Sequence, residues 1–512
     1  MNELIQIPIN TMQPLKYNQY FEIQKKVYDY IIVGGGPTGL TLAWILATQK
    51  KNVLIIEANS SLGGCHRVER IDGLFAEHGP RVYSDAFLNF INLLEKMDLK
   101  FEDIFTEYTF FKTQNPFSIY EYFCIIQEFI KLSLYPNVAR EISMKEFMNK
   151  YKFTDESMDF IERICRLTDG ATTDKYTLFQ FLQLINQQSF YKLYQPKLPN
   201  DRGLIFLWHD ALLKTKHVDF LMQYEVTKVF VDNLDLINSV QVRNVIRDTG
   251  FPVNCKNCIL TIPPKPLVKL LSNSLRAQNA FGDINKLYKW SLKNSYFDYI
   301  PITLHFKEKL ILPKVQGFPK SEWGVGFVIL SNYMKFNDKV EEQFSNTVIS
   351  TCICFTDRKS SFLKKTANEC EMDEIYNEVY RQLKLSIKNL PVPYRMITSP
   401  QVKRSFDNLS WVNYDTAFVS TTKFNNLDSQ SDIIKNLYSV GTHNGNSQYY
   451  FTSIESAVQN AIVFAKSILP ENEIMKKYEI IKTFHITTII NMVLVLLICM
   501  IVIYTIKKIK SY

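Results

Sequence analysis

The sequence predicts an α/β protein with a parallel-sheet domain near its start and a transmembrane helix at its end. Three observations predict it. The stretch "YDYIIVGGGPTGL" (28–40) is an apolar, β-branched run that ends in glycines and continues helically, as a buried parallel strand does when it turns into a helix. A second apolar run, "KNVLIIEAN" (51–59), closes on an acid, so strand, helix and strand follow in the order of a βαβ unit. Far along the chain, "ITTIINMVLVLLICMIVIYTI" (486–506) is 21 residues without a charge. At about 1.5 Å per residue, a helix of that length matches the ~30 Å hydrocarbon core of a bilayer.

Within the first unit, Gly34, Gly36 and Gly39 take the places of G-x-G-x-x-G. The first permits a tight turn, the second lets backbone approach a pyrophosphate, and the third lets helix pack on strand. Pro37 sits in the first helical turn, where its missing N–H costs little. Thr38 follows it at the positive end of the helix dipole, which faces the phosphates. Glu57 lies 23 residues beyond Gly34, near the spacing of about 20 expected for an acceptor of ribose hydroxyls. A carboxylate there disfavours a 2′-phosphate, so NADP is not expected.

Composition bounds the rest. Of 512 residues, 46% are hydrophobic and 21% charged, and the net charge is +8. Part of the excess is Lys476, Lys477, Lys482, Lys507, Lys508 and Lys510, near the C-terminus. No basic stripe interleaved with aromatics points to nucleic acid. The nine cysteines are scattered, which argues against a disulfide framework and for a reducing compartment. Cys255 and Cys258 form a single C-x-x-C without the further ligands a zinc site needs, so no metal is expected. Cys352 and Cys354 share one face of a strand as packing residues. The opening "MNELIQIPINTMQPLKYNQY" has no secretory signal pattern. A single span at the end then predicts a tail anchor, with the main domain cytosolic.

The stretch "LGGCHRVERIDGLFAEHGPRVYSD" resembles the glycine-pair segment of the flavin amine oxidase superfamily, which includes monoamine oxidases, protoporphyrinogen oxidases and phytoene desaturases. The residues that carry the resemblance are Gly63, Gly64, Arg67, Glu77, Gly79, Pro80 and Arg81. Here Cys65 and His66 separate the glycine pair from the Arg that usually follows it directly. Farther on, "NLYSVGTHNGNSQYYFTSIESAVQNAIVFAKSI" is similar to the closing flavin motif: Gly441 and Thr442 end a strand, and Glu455, Ser456 and Ala457 stand for E-G-A, with Ser replacing Gly. Val226, in a strand-like "EVTKVFV", stands where the superfamily contacts adenine through backbone.

The resemblance implies a discontinuous Rossmann-type FAD-binding domain (27–86, 200–268 and 426–470) with an inserted α+β substrate domain (87–199 and 269–425). An extension (1–26), a linker (471–485), the transmembrane helix (486–506) and a basic tail (507–512) complete the chain. It implies an FAD-dependent oxidase or dehydrogenase taking a hydride from an amine or an apolar small molecule, the latter reached from the bilayer. Gly34, Gly36, Pro37, Thr38, Gly39, Glu57, Gly63, Gly64, Arg67, Gly79, Pro80, Arg81, Val226, Gly441, Thr442, Glu455, Ser456 and Ala457 would hold the cofactor. The cysteine that binds flavin covalently in monoamine oxidases has no counterpart in "SWVNYDTAFVSTTKF" (410–424), so FAD is expected to be non-covalent. His443 and Tyr449 to Phe451 would lie near the flavin ring. Ser453 replaces an aromatic-cage Tyr, and no residue is assigned as catalytic. The segment "HGPRVYSD" also resembles UDP-galactopyranose mutases, which leaves a redox-neutral isomerase as an alternative, and a non-catalytic flavin-binding membrane protein as another.

Overall fold

The computed structural model describes residues 22–79, 81–109, 116–135, 138–293, 295–296, 299–312, 321–336, 339–405, 409–413, 418–419 and 426–510. Pro80 and much of the 410–424 stretch lie outside them.

The centre is a five-stranded sheet, ordered Leu437–Ser439, Cys258–Leu260, Tyr30–Val33, Val53–Glu57 and Val218–Met222, with every neighbouring pair parallel. Its strands come from segments far apart in sequence. Alternation along each strand sends successive side chains to opposite faces. Tyr30, Ile32, Val53 and Ile55 face one core, and Ile31, Val33, Leu54 and Ile56 face the other. Both faces are covered, which is why these strands read as unbroken apolar runs. The helices Pro37–Thr48, Leu204–Lys214 and Ile454–Ile468 cover the first face. An antiparallel ladder, Tyr224–Val231, Ile237–Asn244 and Gly250–Cys255, covers the second.

Chain order runs outward in both directions from Tyr30–Val33, so the topological switch lies beside it. A crevice opens at the carboxyl ends of the strands there, where ligands bind in open α/β sheets. Gly39 seats the helix Pro37–Thr48 on this strand: a Cβ at 39 would run into the Gly34 carbonyl oxygen and lie 3.2 Å from Ile32 Cγ2.

A second region joins a four-stranded antiparallel sheet, ordered Val325–Ile329, Thr347–Ile353, Ile300–Phe306 and Arg395–Thr398, to helices Ile119–Leu134, Met144–Lys150, Asp155–Asp169 and Leu178–Phe190. Sequence signals explain the helix ends. Thr154 caps the Ser157 N–H at the start of one helix and Gly170 ends it with φ 62°. Thr177 and Gln180 form a reciprocal capping box at the start of the next.

The last helix, Ile486–Lys510, is rooted in this helical group. Asn186 donates from Nδ2 to the Phe484 carbonyl (3.1 Å) and accepts the Ile486 N–H at Oδ1 (2.7 Å). Ile486 and Ile490 pack against the cluster around Phe129. Residues 486–506 form an apolar helix long enough to cross a membrane, and most of its side chains are exposed.

Gly39→Ala should lower stability by about 1–3 kcal/mol, the usual cost of overpacking. A thermal melt of the full chain checks it, and an unchanged midpoint would show that the helix seat tolerates a methyl group.

Candidate functional site

The crevice is a continuous cavity of ≈ 1160 Å³. Of the residues singled out from sequence, Gly34, Gly36, Pro37, Thr38, Glu57, Gly64, Arg81, Val226, Gly441, Thr442 and Ala457 line it. They come from three stretches far apart in sequence, 34–81, 226 and 441–457, so the fold assembles what the chain separates.

Two glycine turns form the floor. The Gly63 N–H donates to the Gly35 carbonyl at 2.8 Å, tying one turn to the other. Gly64 has φ +54°, and a Cβ on it would lie 3.1 Å from Gly36 Cα. Side chains at either position would fill the gap between the turns. Glu57 ends its strand at the same place. Its Oε2 accepts the Gly35 N–H (2.7 Å), and its Oε1 accepts from Asn59 N (2.9 Å) and Nδ2 (2.7 Å). A carboxylate has about four acceptor positions, so about one remains for a hydroxyl donor in the cavity.

Two helices begin at this floor. Gly36 precedes the first and offers no side-chain cap, so the N–H groups of its first turn suit an anion. The second, Ile454–Ile468, meets it where Thr38 Oγ1 donates to the Ala457 carbonyl (3.5 Å). Ser453 caps it: Ser453 Oγ accepts the Ser456 N–H (3.1 Å), and Ser456 Oγ returns a bond to the Ser453 carbonyl (2.8 Å). Glycine backbone, uncapped helix N–H groups and an acidic strand end make up the donor and acceptor set a dinucleotide requires.

Residues 32–96 match the NAD(P)-binding Rossmann-like domain family. A UDP-galactopyranose mutase from Mycoplasma genitalium is 37% identical over 73 residues, which is 13% of this chain and 18% of the mutase. The chain thus spans less than a fifth of the length of the curated relatives it matches. A putrescine oxidase solved with putrescine bound superposes with a TM-score of 0.57 at 15% identity, covering 86% of this chain and 99% of that one. A cyclohexylamine oxidase from Brevibacterium oxydans superposes with a TM-score of 0.55 at 12% identity, over 86% of this chain and 100% of that one. The chain shares the fold of these two amine oxidases.

Several residues singled out from sequence serve this amine oxidase fold from outside the cavity wall. Arg67 is buried and donates from NH2 to Glu69 Oε1 (3.0 Å), with His78 Nε2 at 3.1 Å. Gly39 seats a helix, and Gly63, with φ +112°, shapes the second turn. Gly79 has φ +129°, and a Cβ there would lie 2.8 Å from the Tyr299 ring, so it makes room for an aromatic that does line the cavity. Glu77 is buried nearby without reaching the wall. Glu455 turns its carboxylate away from the cavity. It accepts from Asn89 Nδ2 (2.6 Å), Asn89 N (3.2 Å) and Phe90 N (2.9 Å), which clamps the closing helix to the helix Leu88–Lys96. Burial pushes its pKa up to about 7, and these donors pull against that rise.

Other lining residues carried no signal in the sequence. Leu167, Leu184 and Gln187 come from the helices Asp155–Asp169 and Leu178–Phe190, Phe327 and Cys352 from the second sheet, and Tyr299 from the position just before its strand Ile300–Phe306. Each reads locally as an ordinary core or strand residue. Cys352, read from sequence as packing, is a wall residue as well, with its Sγ 3.8 Å from Cys354 Sγ. Of the four loop residues placed near a ring, His443 and Phe451 line the cavity. Tyr449 packs beside Phe451 and Tyr450 against Phe179. Arg81 holds Tyr299, donating from NH1 to the hydroxyl at 3.4 Å.

Two wall histidines are kept neutral. Burial, then the Arg81 charge, lowers His66 to about 3. Burial lowers His443 to about 4, with Ser439 Oγ 3.0 Å from its Nε2. Each folded pKa lies below the unfolded value, so the unfolded chain binds more protons between them. The contribution to stability is complete above about pH 6.5 and is lost as pH falls toward the folded value. His443→Gln should therefore shrink the stability lost between about pH 7 and about pH 5. Urea unfolding at the two pH values checks this, and an equal loss in parent and variant would contradict it.

Proposed function

We propose that the protein is a membrane-anchored, FAD-dependent oxidoreductase of the flavin amine oxidase superfamily that binds its cofactor non-covalently. The observation that carries this reading is the pair of facing glycine turns with Glu57 and two helix N-termini around one cavity. Glu57 would accept an adenosine ribose hydroxyl. Gly36 to Thr38 and Gly64 would present backbone to the pyrophosphate, and Val226 would meet the adenine. Gly441, Thr442 and the start of the helix Ile454–Ile468 would face the flavin. Bound FAD supplies a two-electron acceptor for a hydride from the substrate. The residues of the chain orient both molecules and keep water out, the main protein contribution in such sites.

The cavity exceeds the roughly 300–1,000 Å³ of common small-molecule pockets, which suits a cofactor together with a substrate. Apolar chemistry is favoured for that substrate. The acids among the described wall residues are Glu57 and Glu225; Glu57 belongs to the ribose position, and Glu225 pairs with Arg243 and Lys269. Neither leaves a carboxylate beside Leu167, Leu184 and Phe327 to hold an ammonium group. The helix Leu178–Phe190 links cavity to anchor: Leu184 and Gln187 stand in the wall, while Asn186 grips the root of the last helix. A membrane-dissolved substrate would thus have a short path to the site. The local match to a mutase favours one second reading, a redox-neutral isomerisation that uses the same cofactor.

The purified protein should be yellow, and acid denaturation should release the flavin into the supernatant; a coloured pellet would contradict non-covalent binding. Glu57→Ala should weaken FAD binding by about 10- to 100-fold, the value of a charge-assisted hydrogen bond. Under anaerobic conditions, apolar substrates should bleach the flavin. Turnover of a sugar nucleotide without bleaching would favour the isomerase.

A further inference from the structure

The helix Ile119–Leu134 presents an unusual surface. Its exposed residues are Ile119, Tyr120, Tyr122, Phe123, Ile126, Ile130 and Leu134, with no charged residue among them. Its two carboxylates point inward instead. Glu121 is 1% exposed and accepts the Ser118 and Thr154 N–H groups (both 2.7 Å). Glu128 is 3% exposed and accepts from Lys131 Nζ (2.6 Å) and the Tyr151 hydroxyl (3.0 Å). A helix facing water puts its charges outward, and contiguous exposed apolar surface marks an interaction site.

The neighbour of this helix identifies what it meets. The Phe129 and His485 rings lie 6.4 Å apart, and Ser133 Oγ bonds Asn491 Oδ1. Moving from 129 to 133 on one helix thus moves from 485 to 491 on the other, so both run in the same sense and the Leu134 end lies beside the start of the apolar span. Phe190 and Phe484, both partly exposed, stack edge to face at that root (5.1 Å). Lys482 is exposed beside them, placed for lipid phosphates.

We infer that the exposed face Phe123, Ile126, Ile130 and Leu134 is a second lipid-contacting surface, dipping into the bilayer beside the span, with its Leu134 end deepest. The inference rests on the reading of the last helix as a membrane span, but a separate probe tests each. The two tyrosines near the other end, Tyr120 and Tyr122, fit the headgroup level, where amphipathic rings collect. The buried carboxylates fit as well, because charges on this face would have to enter hydrocarbon.

Single tryptophans placed at exposed positions of the full-length protein, reconstituted in vesicles of phosphatidylcholine and phosphatidylglycerol with brominated acyl chains, test this. The readout is quenching in excess of the parent protein. Leu134→Trp and Ile130→Trp should be strongly quenched, Phe123→Trp less, and Leu234→Trp, on the distant ladder, not at all. Val495→Trp reports the span. Quenching at 495 without quenching at 130 and 134 overturns the second surface and leaves the anchor standing. Quenching at 130 and 134 without 495 leaves the surface standing and overturns the span. Protection of 130 and 134 accompanied by a dimer on cross-linking assigns the face to a second copy and overturns the inference.

Discussion

The site depends on how closely two glycine turns approach each other. Gly35 is the joint: its N–H goes to Glu57 and its carbonyl accepts from Gly63. One residue therefore ties the end of the first strand to the end of the second and to the turn that follows. Gly36 and Gly64 face each other across the gap, so a side chain longer than a methyl group at Gly36 would occupy the space between the turns. The opening of the cavity, the aim of the first helix and the position of Glu57 all follow from that approach.

The second helix reaches the same point by a different route. Thr38 meets Ala457, and Glu455 locks the helix to the Leu88–Lys96 element through three N–H donors. The acid of the closing motif thus acts by placing backbone. Ser456 joins Ser453 in capping the helix start, which keeps the helix aimed at the cavity.

Much of this half was legible because its chemistry is local. Strand, glycine turn, helix and terminal acid follow one another within thirty-odd residues, and physical constraints on a nucleotide cradle dictate each in turn. The apolar run at 486–506 is legible for the same reason. Arg67 was not: it turns to Glu69 and His78, and only packing shows that. The apolar part of the cavity wall was the least legible. Leu184, Phe327 and Cys352 come from three separate elements and Tyr299 from the residue before a fourth, and nothing in their local sequence marks them as wall residues. The inward acids of Ile119–Leu134 were invisible for a related reason, since that helix is apolar on most of its circumference and periodicity alone does not say which side is covered.

The central claim, that FAD occupies the gap between the two glycine turns, is tested most directly at Gly36. Its φ is −78°, within reach of any residue, and a Cβ there meets nothing closer than Gly64 Cα at 3.8 Å. Gly36→Leu should therefore fold and fill the gap. Titration of flavin-free parent and variant with FAD, followed by flavin fluorescence, should show one FAD bound per parent chain and none bound by a variant that melts like the parent. Equal FAD affinity in both proteins would contradict the account.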